Sequence, residues 1–137
     1  MADENAVIVN VLDLPIEWRH NITPYHEVRD PDLVQQLRAS MEAHGWQGPP
    51  LVCDRDLYEV NQDQAYTGSH RIVAWALAQD DPSADMPCVF IQDIGEHYSI
   101  DLGELVEENF GNTYAAVEQF VALLPSDVAE AYGLDNG

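Results

Sequence analysis

Up to about residue 95 the apolar positions of this chain come in short runs or alternate with polar ones; beyond that point they recur at helical spacing. Ala6 to Leu14 are rich in β-branched side chains and partly alternate, which predicts a first strand. Pro15 and Pro24 bracket a short extended segment holding Trp18, Arg19 and His20, and a polar loop follows from Tyr25 to Arg29. Asp30 offers an N-cap, Pro31 suits the first helical position, and Leu33, Val34, Leu37 and Met41 form one apolar stripe that Gly45 brings to a stop. Leu51 to Asp54 read as a short buried strand. Leu57 to Val60 and Ala65 to Thr67 read as two more, joined by the turn-forming residues Asn61 to Gln64. A turn at Gly68 opens a second helix reaching about Gln79, and Pro87 to Ile94 read as another strand. Leu102, Leu105, Val106 and Phe110 then form one helical stripe, and Val117, Phe120, Val121 and Leu124 the next. A last short helix is expected from Pro125 to Gly133. The expected architecture is α+β: a mixed domain over residues 1–95, with a small mixed sheet and packed helices, followed by an acidic helical extension over residues 96–137.

Composition narrows the class. At 137 residues and 46% hydrophobic content the chain can bury a core of its own. It has no run of 18 apolar residues and no basic segment leading into an apolar one, so a cytoplasmic protein with no membrane partner is expected. Cys53 and Cys88 stand alone in predicted strands without paired spacing, which suits reduced core thiols and predicts no metal site.

Charge changes the picture more. There are 25 acidic residues against 5 basic ones, a formal net charge of −20. All the basic residues are arginines, none beyond Arg71, and residues 72–137 carry 13 Asp or Glu. Neutralising a nucleic-acid backbone takes Lys and Arg, so this chain would be repelled by DNA or RNA. The acidity fits adaptation to high salt, simple solubility, or a surface that imitates DNA. The last of these implies a basic protein partner for a non-catalytic interaction protein, of the kind carried by phages and mobile elements.

The chemistry gathers at Gly68, Ser69, His70 and Arg71. A glycine turn running into a helix presents unpaired N–H groups and a partial positive charge, and Ser, His and Arg add donors aimed at the same place. That combination suits a phosphate. Arg29, just before the first helix, is placed to face the same anion. The plain alternative is a turn glycine, a capping serine and an arginine paired with one of many carboxylates.

The order of Pro24 to Glu27, the helix from Asp30 to His44 closed by Gly45, the Pro49–Val52 strand entry, Gly68 to Arg71, and the strand from Met86 and Pro87 resembles the ParB N-terminal/sulfiredoxin-like superfamily over residues 18–95. The resemblance implies that the Gly68–Arg71 turn holds the phosphates of a nucleotide or other small phosphorylated ligand, with ATP, ADP or CTP and Mg²⁺ as the cofactors. It also implies that Ser40 and Gln36 lie on a helix face toward the nucleotide. Sulfiredoxins carry their reactive cysteine where Ser69 stands, and partitioning ParB proteins carry a Glu-Arg pair at Ser69–His70 and continue into a basic DNA-binding module; neither activity is expected here. Free-serine kinases of the superfamily resemble this chain at His26–Glu27, where the glutamate acts as base, which implies Glu27, beside His26, as the catalytic group of a phosphotransferase or nucleotide hydrolase. Those kinases have an aspartate where this chain has Thr67.

Overall fold

A computed structural model describes residues 6–20, 22–25, 27–55 and 63–134. Its centre is a pair of fully buried parallel strands, β5 (Leu51–Asp54) and β7 (Met86–Phe90), with Leu51 beside Cys88 and Cys53 beside Phe90. Strands buried on both faces read as continuous apolar runs, as these do. Around them β2 (Glu17–Arg19) adds antiparallel to β7, β6 (Asp63–Ala65) adds antiparallel to β5, and β3 (Ile22–Thr23) lies parallel to β6. The result is a mixed five-stranded sheet in the order β2-β7-β5-β6-β3. A separate two-stranded parallel pair joins β1 (Val7–Ile8) to β4 (Gln47–Gly48).

Side chains alternate across a strand, so the two central strands present two different faces. Leu51, Cys53, Cys88 and Phe90 belong to one hydrophobic cluster with Val34, Met41, Trp46, Ile72 and Trp75. Its cover is the helix pair α1 (Pro31–His44) and α2 (Ser69–Ala78). Val52 and Val89 face the other way, into a cluster with Leu102, Leu105, Val117 and Phe120. Here the cover comes from α3 (Ile91–Tyr98), α4 (Leu102–Glu108), α5 (Thr113–Leu123) and α6 (Ser126–Tyr132). The molecule is thus α+β, and the C-terminal helices pack on the sheet itself. Among the described residues no helix is long and apolar enough to cross a membrane.

Several elements form as their residues dictate. Asp30 accepts the Leu33 amide hydrogen at 3.1 Å as N-cap of α1, Pro31 opens the helix, and Gly45 ends it at φ 75°. Trp46 and Trp75 are buried against each other edge to face, with centroids 5.5 Å apart. Cys53 and Cys88 are buried thiols that are not bridged to each other.

Other expectations are corrected. The strand expected over residues 6–14 is only Val7–Ile8, because its partner β4 is two residues long and Asp13 turns the chain at φ 55°. The strand expected to reach Ile94 stops at Phe90, and Ile91–Tyr98 is a helix. Ile91 and Ile94 are both buried, a three-residue spacing that matches one helix face as well as an apolar run. Phe110, expected in the α4 stripe, is 99% exposed, because the helix ends two residues before it and the chain turns out at φ 57°. The strand expected over Leu57 to Val60 lies outside the described residues.

Candidate functional site

The glycine turn leads directly into α2, and its surroundings show which of its side chains are available. Gly68 sits in the left-handed region at φ 72° and starts α2 without a side-chain cap, so the first amides of the helix have no side-chain acceptor from that position. The turn is anchored from below by Thr67, whose buried hydroxyl accepts the Val52 amide hydrogen at 3.1 Å. That bond ties the entry of the turn to the central strand.

His70 makes the long-range contact. Its Nε2 accepts the backbone amide hydrogens of Arg29 at 3.3 Å and Asp30 at 3.2 Å. In this contact the Nε2 atom acts as an acceptor for both amides. The contact joins the start of α2 to the start of α1 across 41 residues of sequence. It sets the backbone before α1, where the Asp30 carboxylate already caps the Leu33 amide, against the first turn of α2.

Arg71 faces inward. Its Nη1 donates to the Pro49 carbonyl at 2.6 Å, and its guanidinium carbon lies 4.9 Å from the centre of the Trp46 ring. Burial pulls the guanidinium down from its ordinary value to about 10, so it remains charged at neutral pH. Ser69 is buried in the first turn of α2. Ser40 is exposed on α1, ten residues beyond Asp30 and therefore about 15 Å further along the helix axis, too far for one phosphate to touch both. Gln36 is also exposed on α1. Glu27 is exposed in the loop before α1, and His26 lies outside the described residues.

Beside this junction lies a group that the sequence reading passed over. Tyr25 stacks on Tyr114 with ring centres 4.8 Å apart and planes at 28°, and meets Tyr66 edge to face at 5.4 Å and 83°. With Gln64 and Thr113 these rings line a pocket of about 230 Å³. Beneath it Tyr66 Oη donates to the buried Asp54 carboxylate at 2.6 Å, and Gln92 Nε2 donates to the other oxygen at 2.7 Å. Tyr25 belongs to the polar loop and to the Pro24–Glu27 motif, and Tyr114 lies just before the apolar stripe that begins at Val117. Nothing in their spacing announces a pair 89 positions apart.

The tyrosines give the protein an alkaline limit. The Tyr25 phenol is pushed up to about 12 by burial and by Tyr114 and Glu118 beside it, and Tyr66 is raised further by burial and its bond to Asp54. A phenol whose folded pKa lies above its unfolded value of about 10 binds more protons in the folded state at high pH. Stability is therefore fully present below pH 10 and expected to fall as pH rises toward 12. Denaturant midpoints across that range, with phenolate absorbance at each pH, check it; midpoints that rise would refute it.

Compared with protein-family models, curated proteins and solved structures, the chain finds no match.

Proposed function

We propose that this chain is a ParB/sulfiredoxin-like domain that binds a nucleotide or related phosphate ligand where α1 and α2 begin. The observation that carries the reading is the pair of bonds from the Arg29 and Asp30 amides to His70 Nε2, at 3.3 and 3.2 Å. They join the backbone at the start of α1 to the first turn of α2, and Arg29 is exposed there. The uncapped turn at Gly68 supports it, as does the resemblance over residues 18–95. Arg29 supplies the mobile cation, the first amides of α2 supply fixed donors, and Arg71 keeps the turn in shape from behind. Mg²⁺ would be carried in on the nucleotide phosphates, as such chemistry commonly has it. Phosphoryl transfer or nucleotide hydrolysis with Glu27 as base is the reaction that the resemblance supports; positioning and charge neutralisation are what such chemistry needs from the site.

Isothermal titration with ADP, ATP and CTP in the presence of Mg²⁺ tests the reading. At least one nucleotide should bind, and Arg29→Ala should weaken it by about 1.5–3 kcal/mol, the loss of one charge-assisted contact. Arg71→Ala should lower the melting temperature as well, because it also releases Pro49 and Trp46. Failure of all three nucleotides to bind the unaltered protein would overturn the proposal.

A further inference from the structure

The tyrosine pocket has an electrostatic character opposite to the phosphate junction. Its walls are the faces and edges of Tyr25, Tyr66 and Tyr114, and aromatic faces are negative. The Asp54 carboxylate stands directly behind the Tyr66 hydroxyl, and the Glu118 charge is felt at Tyr25. None of the five lining residues carries a positive charge. Much of the lining polarity is already engaged: Tyr66 donates to Asp54, Tyr114 donates to the Tyr25 carbonyl at 3.3 Å, and the Gln64 amide donates to the Ala65 carbonyl at 2.8 Å. The Tyr25–Tyr114 stack covers one face of each of those rings, so what the pocket still presents is the remaining ring surface in a negative field. Its 230 Å³ holds the head of a side chain, below the roughly 300 Å³ at which drug-sized ligand sites begin.

Next to the pocket is an anchor. Phe110, three residues before Thr113, is held in the left-handed region at φ 57° with its ring 99% exposed, and Tyr114 is itself 59% exposed. A β-branched or aromatic residue in that region is strained by about 1–3 kcal/mol. Phe110 therefore offers an apolar side chain at the surface, set there by its backbone and not by the core. Glu107 and Glu108 precede it, and no lysine or arginine follows Arg71 anywhere in the chain.

We propose that Tyr25, Tyr66 and Tyr114 form an aromatic seat for an arginine or lysine side chain of a basic protein segment, with Phe110 packing against an apolar residue of the same segment. The net charge of −20 steers such a partner in, and the ring faces bind the cation that arrives. This inference is separate from the phosphate reading. It uses no residue of the α1–α2 junction, and either can fail alone.

The probe is a short blocked peptide carrying one arginine and one leucine, titrated beside an identical peptide with citrulline in place of arginine. The arginine peptide should bind about tenfold more tightly than its neutral twin, and Tyr114→Ala should remove that difference, whereas Tyr114→Phe, which keeps the ring, should retain it. Phe110→Ala should weaken both peptides alike. Equal binding of the two peptides by the unaltered protein overturns the proposal whether or not any variant folds. So does an unchanged affinity in Tyr114→Ala, or binding of choline with no binding of either peptide, which would assign the pocket to a free organic cation.

Discussion

Replacing Phe120 by alanine is expected to lower the unfolding free energy by about 3–5 kcal/mol, a large share of the 5–15 kcal/mol typical of a domain. Phe120 is fully buried on α5, in the cluster that contains Val52 and Val89 from the central strands. Its ring also closes on the backbone of α3. A Cβ added at Gly95 would lie 3.1 Å from Phe120 Cε2 and would collide with the Ile100 carbonyl. With neighbours this close the site has little room to collapse around a lost ring, so both the transfer and the cavity penalties apply. Equilibrium urea unfolding of the two proteins measures it. A loss below about 1 kcal/mol would show that the helical layer is not what covers this face of the sheet. The same packing means that deleting residues 96–137 is no clean probe of partner binding, since it would uncover Val52, Tyr66 and Val89.

Gly68→Ala is expected to destabilise the protein by about 2–4 kcal/mol. Roughly 1–2 kcal/mol comes from placing a Cβ in the left-handed region, and the rest from overpacking. The new methyl would stand 2.5 Å from Leu51 Cδ2 and 3.3 Å from Arg71 Nε. Leu51 is fully buried in β5, and Arg71 is pinned between Pro49 and Trp46. Gly133 supplies the control. It has a similar φ of 77° but nothing within 4 Å of an added Cβ, so Gly133→Ala should show the backbone penalty alone. Denaturant midpoints of the two variants separate strain from crowding. Equal losses would mean that Leu51 and Arg71 yield freely, and that the turn is less tightly built than its distances indicate.

Arg71 shows how a correct local reading can leave a role open. Its position in the first turn of a helix after glycine was legible. The contact with Pro49 and Trp46 was not, because a proline carbonyl 22 positions earlier leaves no mark on the pattern around residue 71. His70 is the converse case. It was read as a donor to a phosphate, and it stands as an acceptor for the amides of Arg29 and Asp30 at the start of α1. Ser40 was placed on the same helix as Asp30 but lies about three turns away from it.

Local chemistry settled much of the framework in advance. The Asp30–Pro31 start and Gly45 stop of α1, the turn at Gly68, the buried run of β5 and the helix ending at Gly133 each follow from a few neighbouring residues, because caps, φ preferences and hydrophobic periodicity act over three or four positions. The excess of acid over base is equally a property of the chain alone. Contacts between distant positions depend instead on how the layers close. The two-faced burial of β5 and β7, the seating of α4 to α6 on the sheet, and the turning of Phe110 into water arise only when the sheet needs a cover on both sides. The meeting of His70 with Arg29, and of Tyr25 with Tyr114, is of the same kind: each pairs residues 41 or more positions apart, and only tertiary packing can choose such partners.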